Sequence, residues 1–424
     1  MWSFVSSILY CKGTAHFGGF LPHQMQDSAA ISELDSSPVD RQSARHILSF
    51  VYFTFVCYLS IGLPLAVLPE YVHLRMGYSA MLAGLVISIQ YIATLASRPW
   101  AGRISDRVGA KVAVLGGMGA CTASGALLVV AAAFHAVHWI SFFVLILSRL
   151  MLGVGESLGA TGSTLWGITS AGPQSIARVI GYNGVSTYGG MAIGAPLGVI
   201  LDQQWGLPAI GLVTILLCAF SFALAFRKDP VPVVPGEHLP FAHVLGRVPP
   251  HGMGLALGGV GYSVLATFVT LFYASRHWSG AALCLTAFGA AFILARLFFI
   301  HAIDRYGGFP VGMVSLLIEA AGMALLWRAF SPWMAFTGAA VGGFGLSLVF
   351  PAIGVEAVKR VPEHNRGTAL GVYTAFADVS FFLTGPIAGA IIGFYGYASA
   401  FLFAIVSILS ALGIVIVLRQ IQKD

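Results

Sequence analysis

Twelve apolar stretches, recurring from residue 48 almost to the end of a 424-residue chain, constrain this sequence more than any other feature. A helix needs about 20 apolar residues to cross about 30 Å of hydrocarbon. In lipid every backbone polar group has to find its partner inside the protein, and a helix meets that demand within each segment. The stretches fall near 48–70, 79–99, 112–134, 138–157, 179–201, 207–226, 252–274, 279–300, 309–329, 332–355, 367–393 and 397–418. They predict an all-α, multi-pass membrane protein with both termini on one side. The bilayer is its first partner.

Composition agrees. Of all residues 58% are hydrophobic and 9% charged, against roughly a quarter charged in a soluble domain. The net charge of +6 is spread through loops, not clustered on one face, so it predicts no nucleic-acid binding. The five cysteines, Cys11, Cys57, Cys121, Cys218 and Cys284, show no C-x-x-C spacing and read as small core residues. Phosphate-loop and H-E-x-x-H patterns do not occur, which predicts no enzyme, no cofactor and no metal. His135 and His138 fall in a short loop without acidic or thiol companions and read as solvated.

Residues 1–46 form a mostly polar tail, and no positive charge precedes its short apolar run at Trp2–Cys11, which argues against a signal peptide. Met25 opens a tail of ordinary length, so residues 1–24 are expected to be dispensable. The longest polar interruption lies between spans six and seven and gives two six-helix bundles, 47–227 and 251–424, joined by a linker at 228–250. With the tail in the cytoplasm, eighteen of the twenty-two Lys and Arg fall in the tails or the even-to-odd loops, Arg98, Arg107 and Arg296 among them. Three, Arg75, Arg276 and Arg328, fall outside, and Arg149 lies within span four. The positive-inside rule therefore predicts cytoplasmic termini.

The halves repeat. Arg98-Pro-Trp-Ala-Gly-Arg-Ile-Ser-Asp106-Arg107-Val-Gly109 after span two aligns at an offset of 198 with Arg296 through Asp304-Arg305-Tyr-Gly307 after span eight. A second echo pairs Gly194-Ala-Pro196-Leu-Gly198 in span five with Gly385-Pro386-Ile-Ala-Gly389 in span eleven. Duplicated six-helix halves are a transporter architecture.

Gly102-Arg-Ile-Ser-Asp106-Arg107-Val-Gly109-Ala-Lys111 resembles the loop 2–3 signature of the major facilitator superfamily at every defined position. The resemblance implies a gating latch, formed by Asp106 and, in the second half, by Asp304 with Arg305, that breaks when the halves rock. Leu145-x-x-x-Arg149-x-x-Leu-Gly153-x-Gly155 resembles the superfamily's span-four motif, with Leu152 where that motif carries Gln, and implies that Arg149 takes part in proton coupling. Gly190-x-x-x-Gly194-Ala-Pro196-Leu-Gly198 is similar to the span-five motif of its antiporter branches, and generic small-residue packing accounts for it equally. From about residue 47 the chain resembles the bacterial YfcJ and YhhS group, usually described as efflux permeases.

Charges inside the hydrocarbon are expensive and mark pathways or paired sites. Arg149 and Glu156 are two turns apart on one helix face, and an ion pair between helices is the alternative to a cavity role. Asp378 lies near the middle of span eleven with no basic residue within a turn and reads as a titrating coupling group, or else as a satisfied core carboxyl. Glu319 is expected to pair with Arg296. Glu70 and Glu356 are near span ends. Gln90, Asn183, Tyr188 and Trp166 are cavity candidates. The expected function is proton-coupled efflux of a small, uncharged or singly charged molecule by a monomer in a bacterial inner membrane. A proton-coupled importer on the same fold, and a polytopic membrane enzyme or sensor, stay open.

Overall fold

The computed structural model of the chain describes residues 38–172, 176–232, 249–299, 301–359 and 366–422. Most of the tail, including residues 1–24, and most of the 228–250 linker lie outside the described residues. Among the described residues no strand occurs, and twelve helices are long and apolar enough to cross a membrane. They are α1 (Pro38–Leu65), α2 (Ala80–Arg107), α3 (Ala110–Ala133), α4 (His138–Ala171), α5 (Ile176–Trp205), α6 (Leu207–Arg227), α7 (Pro249–Ser275), α8 (Ala282–Phe299), α9 (Gly308–Trp327), α10 (Pro332–Lys359), α11 (Arg366–Tyr395) and α12 (Ala398–Ile421). Residues 38–45 are assigned to a separate unit, and all packing described below lies within residues 46–424.

Local chemistry sets the ends. Ser79 accepts from the Leu82 N–H at 3.3 Å and caps α2. Pro64 and Pro69 each lack an N–H; α1 ends one residue after the first, and the second lies in the first turn of a short helix, Leu68–Glu70, that passes into a π-helical turn, Tyr71–Arg75. Gly109 joins α2 to α3 with φ at 121°, and Gly307, 198 residues on, plays the same part before α9 with φ at 83°. Only glycine takes such angles without strain.

Two helices run beyond their apolar windows. α2 continues through Pro99 to Arg107, and α4 continues to Ala171. Arg98, Gly102, Arg103, Asp106 and Arg107 are therefore helical, and the loop between α2 and α3 shrinks to Val108 and Gly109. Hydropathy stops at the first charge, whereas the helix goes on wherever a charged side chain finds a partner or water.

In the first half α3 packs on α4 and α6, and α2 packs on α4; in the second, α9 packs on α10 and α12, and α7 on α11 and α12. The principal contacts across the halves are α2 with α11 and α5 with α8. Glycines set both distances. A Cβ on Gly385 would come within 2.5 Å of the Gly84 carbonyl oxygen, one on Gly389 within 2.6 Å of Met81 Cα, and one on Gly289 within 2.6 Å of the Ala192 Cβ. These backbone approaches lie in the stretches of each helix away from the α2–α3 loop. At that far end His73 Nε2 and Tyr397 Oη also join the halves at 2.8 Å.

Candidate functional site: buried charges where the halves meet

Asp378 is buried on α11, but it is not isolated. Arg98 of α2, 280 residues away in sequence, donates from Nε and Nη2 to its two carboxylate oxygens, with the Nη2–Oδ1 distance 2.9 Å. The Arg98 side chain is 31% exposed and that of Asp378 6%, so the exposed part of the pair is the arginine. This corrects two expectations at once: Asp378 has a cation, and Arg98 is not a loop charge. A sequence shows neighbours along one helix, and this partner comes from the other half. A forked guanidinium–carboxylate contact is among the stronger polar interactions available to a protein.

Beside it, Glu156 of α4 is 4% exposed and is held from three sides. Tyr58 Oη donates to Oε1 at 3.1 Å, Thr94 Oγ1 to Oε2 at 3.1 Å, and Gln90 Nε2 to Oε2 at 3.4 Å. Arg149, one turn pair earlier on α4, does not touch Glu156. Its Nη2 donates to the Oε1 of Gln90, so Gln90 stands between the buried cation and the buried acid as donor to one and acceptor to the other. Among the described residues Arg149 Nε and Nη1 have no hydrogen-bond partner. Tyr58 and Thr94 carry no sequence signal of their own; both lie on helix faces that only packing identifies.

The remaining cavity candidates divide. Tyr188 of α5 lies between the halves, stacked on Phe292 of α8 with ring centroids 3.6 Å apart and set edge to face with Tyr262 of α7 at 5.8 Å. Asn183 instead donates to Thr164 of α4 at 2.6 Å within the first half. Trp166 is fully buried there against Phe53 and is core, not cavity. The expected pair of Glu319 with Arg296 does not form. Glu319 on α9 is fully buried with neither carboxylate oxygen hydrogen-bonded among the described residues, and it faces Gly261 of α7. Arg296 turns the other way, toward α5, and donates to the Ser347 carbonyl at 3.3 Å. Span membership placed both residues in neighbouring helices without saying which way each faced.

The gating-motif residues also change character. Asp106 is part-exposed in the last turn of α2 and borders a small recess with Gly109, Leu165 and Thr169; Arg107 is exposed. Lys111 donates to the carbonyls of Phe226 and Lys228 at 2.8 and 2.7 Å, capping the end of α6 rather than meeting an acid. Gly102 has no atom within 4 Å of a built Cβ, so close packing does not explain it. Asp304 and Arg305 lie in a one-turn helix, Ala302–Tyr306, before Gly307. The two glycine–proline echoes do different work. Gly190, Gly194 and Gly198 on α5 meet the backbone of α1 inside the first half, with Cβ contacts of 2.8 Å at Leu59 for the first two and an overlap with Leu63 for the third. Gly385 meets α2 across the halves. Pro196 and Pro386 each lie within their helices. Glu356 accepts from the Gly308 N–H at 3.1 Å at the start of α9 and pairs with Lys359. Among the described residues, cysteines 57, 121, 218 and 284 are buried and free.

The model of the Major Facilitator Superfamily matches residues 50–283 and 252–423, which together cover most of the chain. The chain belongs to the major facilitator superfamily. An uncharacterized MFS-type transporter of Burkholderia pseudomallei is 51% identical over 391 residues, 92% of this chain and 96% of the relative. One of Pseudomonas aeruginosa is 51% identical over 393 residues, covering 92% and 98%. Among solved structures, the human organic anion transporter MFSD10 superposes with a TM-score of 0.67 at 15% identity, and a variant of the nucleoside transporter NupG with 0.72 at 16%, each over 88% of this chain and 99% of theirs. The latter two share the fold. This superfamily member is thus an integral, multi-pass membrane transporter and not an enzyme.

Proposed function

We propose that this transporter exports a small molecule in exchange for protons, acting as a monomer in a bacterial cytoplasmic membrane with both termini inside. The observation that carries the proposal is the buried Arg98–Asp378 pair, because it joins the halves through a group that can gain and lose a proton. A proton on Asp378 removes one charge of the pair and frees Arg98; its departure restores the tie. A tie whose strength depends on protonation is what couples a proton to the rocking of two halves. Glu156 lies within electrostatic reach of both Arg98 and Asp378 and supplies a second acid to the same cluster. The likeness of the Gly190–Gly198 stretch to antiporter motifs supports exchange over uptake. The excess of cations in even-to-odd loops and tails supports the orientation, and leaving out Arg98 and Arg296, which reach between the halves, still leaves sixteen against three. Relatives from bacteria support the membrane, and neighbours described as carriers of organic anions and nucleosides support a small substrate.

The test uses a compound to which a deletion strain becomes sensitive, measured in proteoliposomes under an imposed proton gradient. Asp378→Asn is expected to lose gradient-driven flux and to keep substrate binding. Coupled flux at the wild-type level would remove Asp378 from the role and transfer it to Glu156. Gradient-driven accumulation in intact cells, abolished by a protonophore, would replace export by uptake.

A further inference from the structure

Arg98 and Arg296 are repeat mates, at the offset of 198 that relates the two halves. Each lies on the second helix of its half and reaches toward the other half, Arg98 from α2 to α11 and Arg296 from α8 to α5. Arg98 meets Asp378 there. The matching place on α5 holds no acid. Aligning Pro196 with Pro386 sets Tyr188 against Asp378, and aligning Gly194 with Gly385 sets Thr187 against it. What faces Arg296 in space is Gly184, whose built Cβ lies 3.7 Å from the guanidinium carbon, together with Tyr188. Among the described residues Arg296 makes one hydrogen bond, to a backbone carbonyl, and no ion pair. Its other neighbour is the Phe292 ring, 5.7 Å from Cζ, with Tyr188 stacked on that ring. From there aromatic contacts continue through Tyr262 and Phe381 to Tyr91, crossing from one half to the other.

We infer that Arg296 binds the carboxylate of the transported molecule, a small organic monoanion with an aromatic or other apolar body, which supplies from outside the acid that Asp378 supplies to Arg98. The inference rests on the transporter reading of the inter-half site and names its substrate class. Three pieces of chemistry support it. A guanidinium is always charged and offers five N–H donors in a fork that fits a planar carboxylate, and here most of the fork is unspent. A half-buried cation beside aromatic rings, with no counter-charge, gains more from an incoming anion than a fully solvated one does. With glycine at 184 the guanidinium has no side chain against it on the α5 side, where a Cβ would stand in van der Waals contact, and Arg296 itself is only half buried, so a solute can reach it. The aromatic series beside it then takes the apolar body, since stacked rings accept such groups with little demand on sequence of functional groups.

The experiment uses full-length protein carrying Cys11→Ser, in nanodiscs, and follows thermal unfolding with a thiol-reactive dye, since the four remaining cysteines are buried and free and react as the protein opens. The probes are benzoate, 2-naphthoate, 4-phenylbutyrate and octanoate, each beside its primary amide. At least one acid is expected to raise the unfolding midpoint where its amide does not. Arg296→Gln is expected to weaken that acid about tenfold or more, as loss of a charge-assisted bidentate contact does, with Arg296→Lys recovering part. Gly184→Asp supplies the missing carboxylate in cis and is expected to abolish the acid's effect while the protein's own midpoint holds, which decides the matter even should Arg296→Gln fail to fold. Equal effects of acids and amides, no effect of any acid, or undiminished binding in Gly184→Asp would overturn the inference. Gradient-driven flux of the sensitising compound, measured in parallel, separates the two levels: intact coupled flux without anion binding removes the substrate class alone, and anion binding without coupled flux removes the proton reading alone.

Discussion

Gln90 is the residue on which two buried charges in the first half depend. Its amide oxygen accepts from Arg149 and its amide nitrogen donates to Glu156, so one neutral side chain connects an arginine and a glutamate that do not touch. Gln90→Leu keeps the volume and removes both contacts, leaving a guanidinium with no acceptor in a fully buried position. Leaving a buried donor unsatisfied costs about 1–3 kcal/mol, and more when it is charged, so the variant is expected to unfold at a clearly lower temperature in detergent. Gln90→Glu keeps an acceptor for Arg149 and sets a second carboxyl beside Glu156; it is expected to remain folded and to shift the pH dependence of transport instead. A melting temperature in Gln90→Leu equal to that of the parent would show that Arg149 is satisfied by some other group. Arg149 and Glu156 were legible as a pair of charges on one helix face. That a glutamine from α2 joins them was not, because spacing along α4 carries no information about which residue of a neighbouring helix faces the gap.

At the scale of helices, length and apolarity made all twelve spans legible, since the bilayer leaves a hydrophobic helix few alternatives. Their ends were less so. The apolar stretch of span two closes at residue 99, whereas α2 runs eight residues further, to Arg107, and carries the gating motif with it. The repeated glycines were legible as close-packing positions, but their partners were not. Gly84 and Gly385 bring α2 and α11 together between the halves, while Gly198 brings α5 onto α1 within one half. These are different functions for similar motifs. Gly84→Val is expected to force α2 and α11 apart, disfavouring this arrangement of the halves and reducing transport strongly with modest loss of folded protein. Gly198→Val is expected to lower the yield of folded protein itself. Gly102→Ala, with open space around the added carbon, is expected to gain about 0.5–1 kcal/mol in stability from reduced backbone freedom. Flux per folded molecule and melting temperature, measured together, distinguish the three; a Gly84→Val protein with undiminished flux would show that the close approach of α2 and α11 is not needed in the cycle.

For the molecule as a whole, the halves touch backbone to backbone at the end away from the α2–α3 loop. Toward that loop, among the described residues, they are tied by the Arg98–Asp378 pair, while Arg296 reaches toward Gly184 and bonds within its own half. A carrier that exposes its site alternately to the two sides has to exchange these conditions, parting the far end while the near end closes. His73, in the π-helical turn after α1, and Tyr397, just before α12, meet at 2.8 Å across the far end and are therefore expected to separate in every cycle. A His73→Cys/Tyr397→Cys variant joined by a short bis-methanethiosulfonate reagent holds that end closed without touching any buried charge. With Cys11 replaced by Ser, the four remaining cysteines of the parent are buried and leave the reagent little to react with. Crosslinking is expected to stop flux in proteoliposomes, reduction to restore it, and either single-cysteine variant to be unaffected by the reagent. Binding measured from the α2–α3 side should survive the crosslink, because the charged cluster lies on that side of the closure. Flux that continues at the uncrosslinked rate with the tie in place would mean that the far end does not open during transport, and the rocking of two halves would have to be abandoned for this chain.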